Sequence, residues 1–308
     1  MNEQTIIKTI ESEIGHQFIG DDCAYLKKQN IVVSQDSLIE DIHFKREWFN
    51  PFQLGYKSVA VNISDILASG AKPEYITIAL SIPNNICEGW ENNVALFSSE
   101  LFVQEFYKGA KAALNGAIIV GGDITGSKNS LIISISAIGS TKYRKISSRS
   151  NAKIGYAVVV KGAFGSSDMG LKELLKGNNK SYFVKYHISP EPEKEFSEQI
   201  AKNIRNDYAM MDTSDGLADA LFKIAEASKV KIHVDYDKIP HMPGVPRESV
   251  LFGGEDYKLV AVIPNKFAQK LKNVSIIGKV EPFDGTVLEI SDSKYSKYSE
   301  LQVFNHFN

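Results

Sequence analysis

Apolar residues recur at helical spacing over residues 4–14, where Ile6, Ile7, Ile10 and Ile14 share one stripe. They do so again over residues 53–70, where Val59, Ile63, Ile66 and Leu67 form a face closed by Gly70 and Pro73. Between these helices, residues 31–34 read as a short buried strand that delivers Asp36 at its end. Residues 75–82 alternate as a strand, and 90–114 have the length and spacing of a long amphipathic helix. A strand over 117–120 is expected to stop at Gly121-Gly122-Asp123, and 131–138 is another strand. The second half alternates in the same way. Strands are expected at 156–161, 208–211, 230–234, 257–263, 274–280 and 286–290. Helices are expected from the glycine-serine turn at 165–167 to about 176, over 193–205, and from Gly216 to about 228. Residues 291–300, rich in Ser, Lys and Tyr, read as a surface loop. Strands alternating with helices in both halves predict two α/β layers.

A chain of 308 residues favours two domains over one. Polarity rises through residues 140–153, so the division is placed between 1–148 and 149–308. A net charge of -2 argues against a general nucleic-acid binder, whose affinity needs a basic surface. No apolar run approaches the ~20 residues of a membrane span, and the polar N-terminus has no signal-peptide pattern. Cys23 and Cys87 are too few for a disulfide framework or a cysteine zinc site. The expectation is a reduced, cytoplasmic protein with neither membrane nor nucleic acid as partner.

The chemistry lies in the aspartates. Asp21, Asp22, Asp36, Asp123, Asp212 and Asp215 fall beside glycines or at expected strand ends, and Asp65 lies between Ile63 and Ile66 on a helix. Each alone could be a cap, an Asx turn or a solvated side chain. As a set they call for cations, because an isolated buried carboxylate protonates rather than staying charged. Oxygen ligands without a histidine or cysteine pair favour Mg2+ over zinc, and Mg2+ is commonly completed by substrate phosphates. Gly121, Gly122, Gly253 and Gly254 allow a backbone to approach such a ligand. No P-loop, kinase-type catalytic loop or nucleophile elbow is present. Arg149 and the basic run at 142–145 are the cations best placed for phosphate. The residues thus point to Mg2+-dependent phosphate chemistry and leave open whether the acceptor is water or another group.

The motifs also occur in a familiar order: Gly20-Asp-Asp-Cys-Ala24, Ser34-Gln-Asp36 with His43-Phe44, Ala60-Val-Asn-Ile-Ser-Asp65 with Gly70-Ala71, Gly121-Gly-Asp123, Arg149-Ser150, Met211-Asp-Thr-Ser-Asp-Gly-Leu217, Phe252-Gly-Gly-Glu-Asp-Tyr257 and Phe304-Asn-His-Phe307. Across nearly the whole chain this set resembles the thiamine-monophosphate kinase family, of the aminoimidazole ribonucleotide synthase-like superfamily. The resemblance implies a two-domain α/β (α+β) fold whose N-terminal sheet pairs across a homodimer. It implies phosphoryl transfer from ATP to thiamine monophosphate, giving thiamine diphosphate, with several Mg2+ ions and no general base. By position it implies Mg2+ ligands at Asp22, Ser34, Gln35, Asp36, Asp65, Asp123, Asp212 and Asp215. It implies ATP contacts at Tyr107, Gly122, Asp123, Arg149 and Ser214, and acceptor contacts at His43, Glu255 and Phe304. Asp21 is read as orienting its loop.

The chain departs from the family pattern in several places. Gln35 replaces the usual threonine, so a main-chain carbonyl would serve there. Ile124 and Gly126 stand for a threonine and an arginine, and Glu193 stands for an arginine. Phe304 keeps a stacking face without a polar handle. Two other readings stay open. One is a superfamily relative with another acceptor, of the ribonucleotide cyclo-ligase or selenophosphate synthase type, although the latter's reactive cysteine near a lysine is missing. The other is a catalytically silent nucleotide binder, favoured by the missing arginine at position 126.

Overall fold

One helix holds the molecule together. In this computed structural model, which describes residues 3–90 and 98–302, α2 is preceded by α1 (Glu3–Ile14), β1 (Ala24–Leu26) and β2 (Ile31–Ile39), and itself spans Pro51–Ala68. Asn50 caps it: the Asn50 side chain accepts from Gln53 N at 2.8 Å and the Gln53 side chain accepts from Asn50 N at 2.9 Å. Pro51, at the first helical position, has no amide to leave unpaired. Nearly every later position is buried, so α2 is covered all round.

After α2 come β3 (Lys72–Pro83), α3 (Ser99–Ala112), β4 (Ile118–Ser127) and β5 (Ile132–Ser140). The five strands form one sheet in the order β1-β2-β5-β3-β4, antiparallel except for the β3–β4 pair. The buried positions of β2, Val32, Ser34 and Leu38, alternate with exposed Gln35 and Ser37, and Asp36 keeps the phase of the buried set. On its other flank α2 meets α3 through two glycines. A Cβ on Gly55 would lie 2.0 Å from Phe106 O, and one on Gly109 would lie 1.8 Å from Phe52 O.

The remaining elements are β6 (Tyr156–Val160), α4 (Ser166–Leu175), α5 (Val184–Ile188), α6 (Lys194–Ala201), β7 (Ala209–Asp212), α7 (Leu217–Ser228), β8 (Lys231–Val234), α8 (Arg247–Phe252), β9 (Leu259–Pro264), α9 (Asn265–Ala268), β10 (Ser275–Glu281), β11 (Leu288–Ile290) and β12 (Ser293–Tyr295). Their strands form a second sheet, in the order β12-β11-β8-β10-β6-β9-β7. Its central strands are apolar on both faces, as in any sheet covered on both sides. Ala157 and Val159 of β6, with Leu259, Ala261 and Ile263 of β9, join the apolar cluster built around α2. Val158, Val160, Val260 and Val262 point into a second cluster with α7 and α8. The larger core therefore runs through both sheets. Polar contacts follow it: Ser197 Oγ donates to Leu67 O at 2.6 Å, and Ser147 Oγ donates to Ala68 O at 2.8 Å. No helix among the described residues is long and apolar enough to cross a membrane.

The main departures from the sequence expectations have local causes. β2 continues to Ile39 because β5 pairs with it from Ile31↔Ser140 to Ile39↔Ile132, so Asp36 sits within the strand and not at its end. β4 runs through Gly121–Asp123 because β3 pairs alongside those residues. The expected long helix is shorter: α3 begins at Ser99, after a Ser98 cap. Trp90 lies outside it, buried with its indole N–H on Ile86 O, and 91–97 lie outside the described residues. The expected loop at 291–300 contains β12, paired to β11, and a turn that carries Tyr298. Ile7, Ile10 and Ile14 of α1 are exposed, not packed inward.

Candidate active site

The acid cluster forms where β2, α2 and β7 meet. Short β1 pairs with β2 only as far as Val33, and beyond it the Asp36 amide donates to Asn62 Oδ1 of α2 at 3.2 Å. Two and three residues along α2, Ser64 Oγ donates to Asp212 Oδ2 at 2.7 Å, and Asp65 Oδ2 accepts from Ser34 Oγ. The Gly20–Cys23 loop closes over them, with Cys23 Sγ donating to Asp65 O at 3.3 Å. The carboxylates raise one another. Burial, then Asp36, Asp212 and Asp22, push the Asp65 carboxyl well above its usual range. Burial and Asp22 push Asp212 up to about 7.

Cations balance only the margin of this cluster. Arg149 Nη2 meets Asp22 Oδ1 at 2.5 Å, while the Arg149 amide donates to Asp21 Oδ1 at 2.7 Å. Asp21 thereby ties down the 148–149 turn. Asp215, which could have capped the next helix, instead pairs at 3.3 Å with Lys223 of α7, which also holds Asp219 at 2.8 Å. Tyr298 donates to the other Asp219 oxygen at 2.6 Å. Asp65 and Asp212 accept from hydroxyl and amide groups, Ser34 on the first and Ser64 with the Ser214 amide on the second. Among the described residues no three His, Cys, Asp or Glu side chains close into a ready cage. An all-oxygen, charge-rich donor set of this kind suits Mg2+, which retains waters and takes part of its shell from phosphates.

The Gly253–Tyr257 loop docks on the Asp212–Asp215 turn. A Cβ on Gly254 would lie 2.7 Å from Ser214 O, and that close approach lets the Glu255 amide donate to the same oxygen at 2.7 Å. Glu255 and Tyr257 both hold left-handed backbone, at φ 63° and 49°, a conformation costly for a non-glycine residue. The Glu255 carboxylate meets Lys57 Nζ at 3.1 Å and His187 Nδ1 at 3.2 Å. Burial alone would raise its pKa; Lys57, together with His187 and His43, outweighs that and holds it below the usual glutamate range. His43 accepts from Ile39 N at Nδ1 (3.1 Å), so its Nε2 carries the proton.

Burial and then Lys57 bring His187 from 6.5 down to about 4. As pH falls between these values the unfolded chain binds a proton that the folded chain refuses, so stability drops, by about 2 kcal/mol at pH 5. Asp256, raised by burial to about 6, acts in the opposite direction. Urea unfolding of wild type and His187→Asn at about pH 7 and about pH 5 separates the two, since Asp256 is common to both. Wild type should lose about 2 kcal/mol more than the variant on acidification. Equal losses would contradict a buried neutral imidazole.

The structure brings Asp22, Ser34, Asp36, Asp65 and Asp212 together, with Arg149, Ser214 and Asp215 at the margin and His43 near Glu255. Asp123 and Gly122 stand apart, exposed on β4. The Gln35 side chain lies in the other phase of β2, bonded to Ser136 at 3.0 Å, which leaves its main chain as the possible donor. Tyr107 is half-buried on α3 against Phe106. Phe304 lies outside the described residues. Sequence reasoning missed Lys57, Lys223 and Asp219, and met His187 only as the first residue of the family run that ends at Glu193. The available signal for Lys57 was a lysine inside the buried register of an otherwise apolar helix.

Two mixed sheets about an acid-lined, phosphate-suited site define an aminoimidazole ribonucleotide synthase-like class, and residues 20–141 match the family model "AIR synthase related protein, N-terminal domain". The chain is 32% identical to the thiamine-monophosphate kinase of Bacillus subtilis, over 94% of this chain and 93% of that protein. It belongs to the thiamine-monophosphate kinase family, a family of phosphotransferases. Among solved structures, AaThiL complexed with AMPPCP and TMP superposes with a TM-score of 0.83 at 28% identity, over 96% of this chain and 95% of that one. The thiamine monophosphate kinase of Aquifex aeolicus does so with a TM-score of 0.81 at 28% identity, over 96% and 98%.

Proposed function

We propose that this protein transfers the γ-phosphoryl group of ATP to the phosphate of thiamine monophosphate, giving ADP and thiamine diphosphate. The observation that carries the reading is the convergence of Asp22, Asp36, Asp65 and Asp212 on one buried patch, in a chain of this family. The AMPPCP and TMP of the related structure support ATP and thiamine monophosphate as the two substrates.

The acceptor phosphate is already an anionic oxygen nucleophile, so the transfer needs no general base. The barrier is repulsion between two polyanions, together with alignment of the attacking oxygen. Mg2+ would be held by Asp22, Ser34, the Gln35 main chain, Asp36, Asp65, Asp212 and Asp215, with Asp123 on β4 reaching it only through the phosphates of ATP, and would supply the charge neutralisation. Arg149 orients phosphate oxygens and is itself aimed by Asp21 and Asp22. Tyr107, Gly122, Asp123 and Ser214 complete the ATP side. His43 offers its Nε2–H, and Glu255 and Phe304 hold the acceptor. Residues 1–148 then form the nucleotide and metal wall, and 149–308 complete the site. Incubation with ATP, Mg2+ and thiamine monophosphate should yield ADP and thiamine diphosphate, while unphosphorylated thiamine yields none. Absence of the diphosphate would overturn the substrate assignment.

The protein is further read as a homodimer joined through β4. That edge strand carries Ile118, Val120 and Ile124 at 55%, 54% and 62% exposure, and an open apolar edge is a ready template for a second copy. Sedimentation should find a dimer for wild type and a monomer for the Val120→Lys, Ile124→Lys double variant. A monomeric wild type would refute this assembly.

A further inference from the structure

We propose that Lys57 and His187 are positioning residues that hold the Glu255 carboxylate, charged and in one orientation, at the acceptor side of the site. This rests on the reading of Glu255 as an acceptor contact. The three side chains come from separate elements: Lys57 from the middle of α2, His187 from α5, and Glu255 from the loop before β9. They close a ring. Lys57 Nζ lies 3.1 Å from Glu255 Oε1 and 3.5 Å from His187 Nε2, and His187 Nδ1 lies 3.2 Å from Glu255 Oε2. An ammonium only donates, so Nε2 must accept, and the imidazole proton sits on Nδ1, which faces both Glu255 Oε2 and Ser167 Oγ. Each carboxylate oxygen thus faces one cation or N–H of the ring. Ser167 Oγ, 3.3 Å from Nδ1, flanks the same imidazole.

The surroundings argue for a purpose other than stability. The Lys57 side chain is 0% exposed and its ammonium lies 5.4 Å from the Phe49 ring centroid. The Trp48 and Phe49 rings pack on His187 at 6.4 and 6.3 Å. A buried ion pair in such a setting stabilises little more than apolar residues of the same volume would. The pair is not sealed, however. Glu255 keeps 25% of its side chain exposed, and His43 lies close enough to act on it. Its left-handed backbone, at φ 63°, persists where surrounding contacts over-determine it. Lys57 and His187 supply those contacts. With its charge matched by Lys57, the carboxylate presents an oriented acceptor to an N–H or a cationic ring of the acceptor's organic part.

Steady-state kinetics in both substrates test this on Glu255→Gln, Lys57→Met, the double variant, His187→Phe and His187→Asn, with thermal melts to establish folding. Glu255→Gln and Lys57→Met should each raise the acceptor KM by about tenfold or more, while the KM for ATP stays within about twofold. The double variant should be no worse than either single one, because one interaction is lost in all three. His187→Phe should behave like Lys57→Met. His187→Asn, whose amide can donate from the Nδ1 position, should recover most of the loss. If Lys57→Met does not fold, the His187 pair still decides. An unchanged acceptor KM in Glu255→Gln would overturn the reading of Glu255 itself. A raised value there, with normal values in Lys57→Met and His187→Phe, would overturn the positioning role alone. So would additive losses, or equal rises in both KM values.

Discussion

Asp212→Asn is expected to lower kcat by about a hundred- to a thousandfold, the range seen when an oriented group that stabilises transition-state charge is removed. The substitution preserves shape. An asparagine oxygen can still accept from Ser64 Oγ, which reaches Asp212 Oδ2 at 2.7 Å. The charge goes, together with the long acceptance from the Ser214 amide at Oδ1 (3.4 Å), and it is a charge that burial and Asp22 already disfavour, as the rise to about 7 records. The variant should therefore melt no lower than wild type without divalent cation. Wild type should gain in Tm as Mg2+ is added, by the linkage of binding to folding, and the variant should gain less. Full activity, or an undiminished Mg2+-induced shift, would remove Asp212 from the metal set.

Gly109→Ala is expected to destabilise the protein by about 3 kcal/mol, the upper end of overpacking costs. The sign is diagnostic, since alanine in place of glycine inside a helix ordinarily gains about 1 kcal/mol. Here the new methyl would sit 1.8 Å from Phe52 O, 2.7 Å from its carbonyl carbon and 2.9 Å from Tyr56 N, all of them backbone atoms that no rotamer change can move. α2 would have to shift away from α3, carrying Lys57, Asn62, Ser64 and Asp65 with it. Activity should fall along with stability. Denaturant unfolding measures the loss, and a stabilised variant would contradict the close packing of these helices.

Much of the fold was legible because helix and strand periods act over a few residues. The α2 stripe, the alternation of β3 and the β7-turn-α7 sequence around Asp212 and Asp215 are local signals. The extent of β2 was not, because its last residues are held by pairing with β5 about a hundred positions away. β4 likewise runs through two glycines only because β3 lies alongside. Most of the acidic set could be named in advance, since carboxylates beside glycines and apolar runs stand out in any sequence. Lys57 could not, nor could the partners of His187, which the sequence shows only as the head of the run ending at Glu193. A lysine in a helix ordinarily extends its ammonium to water, and His187 is one more histidine until Lys57 and Glu255 are placed against it.

The sequence by itself determined the family, the order of the elements and a surplus of carboxylate that asks for a cation. Those follow from residue identity and short spacing. Only the tertiary structure decided which carboxylates share one patch, that Arg149 and Lys223 balance its margin, and that a fully buried lysine stands behind Glu255. Such pairings depend on which distant segments the apolar core presses together, and no local period encodes that.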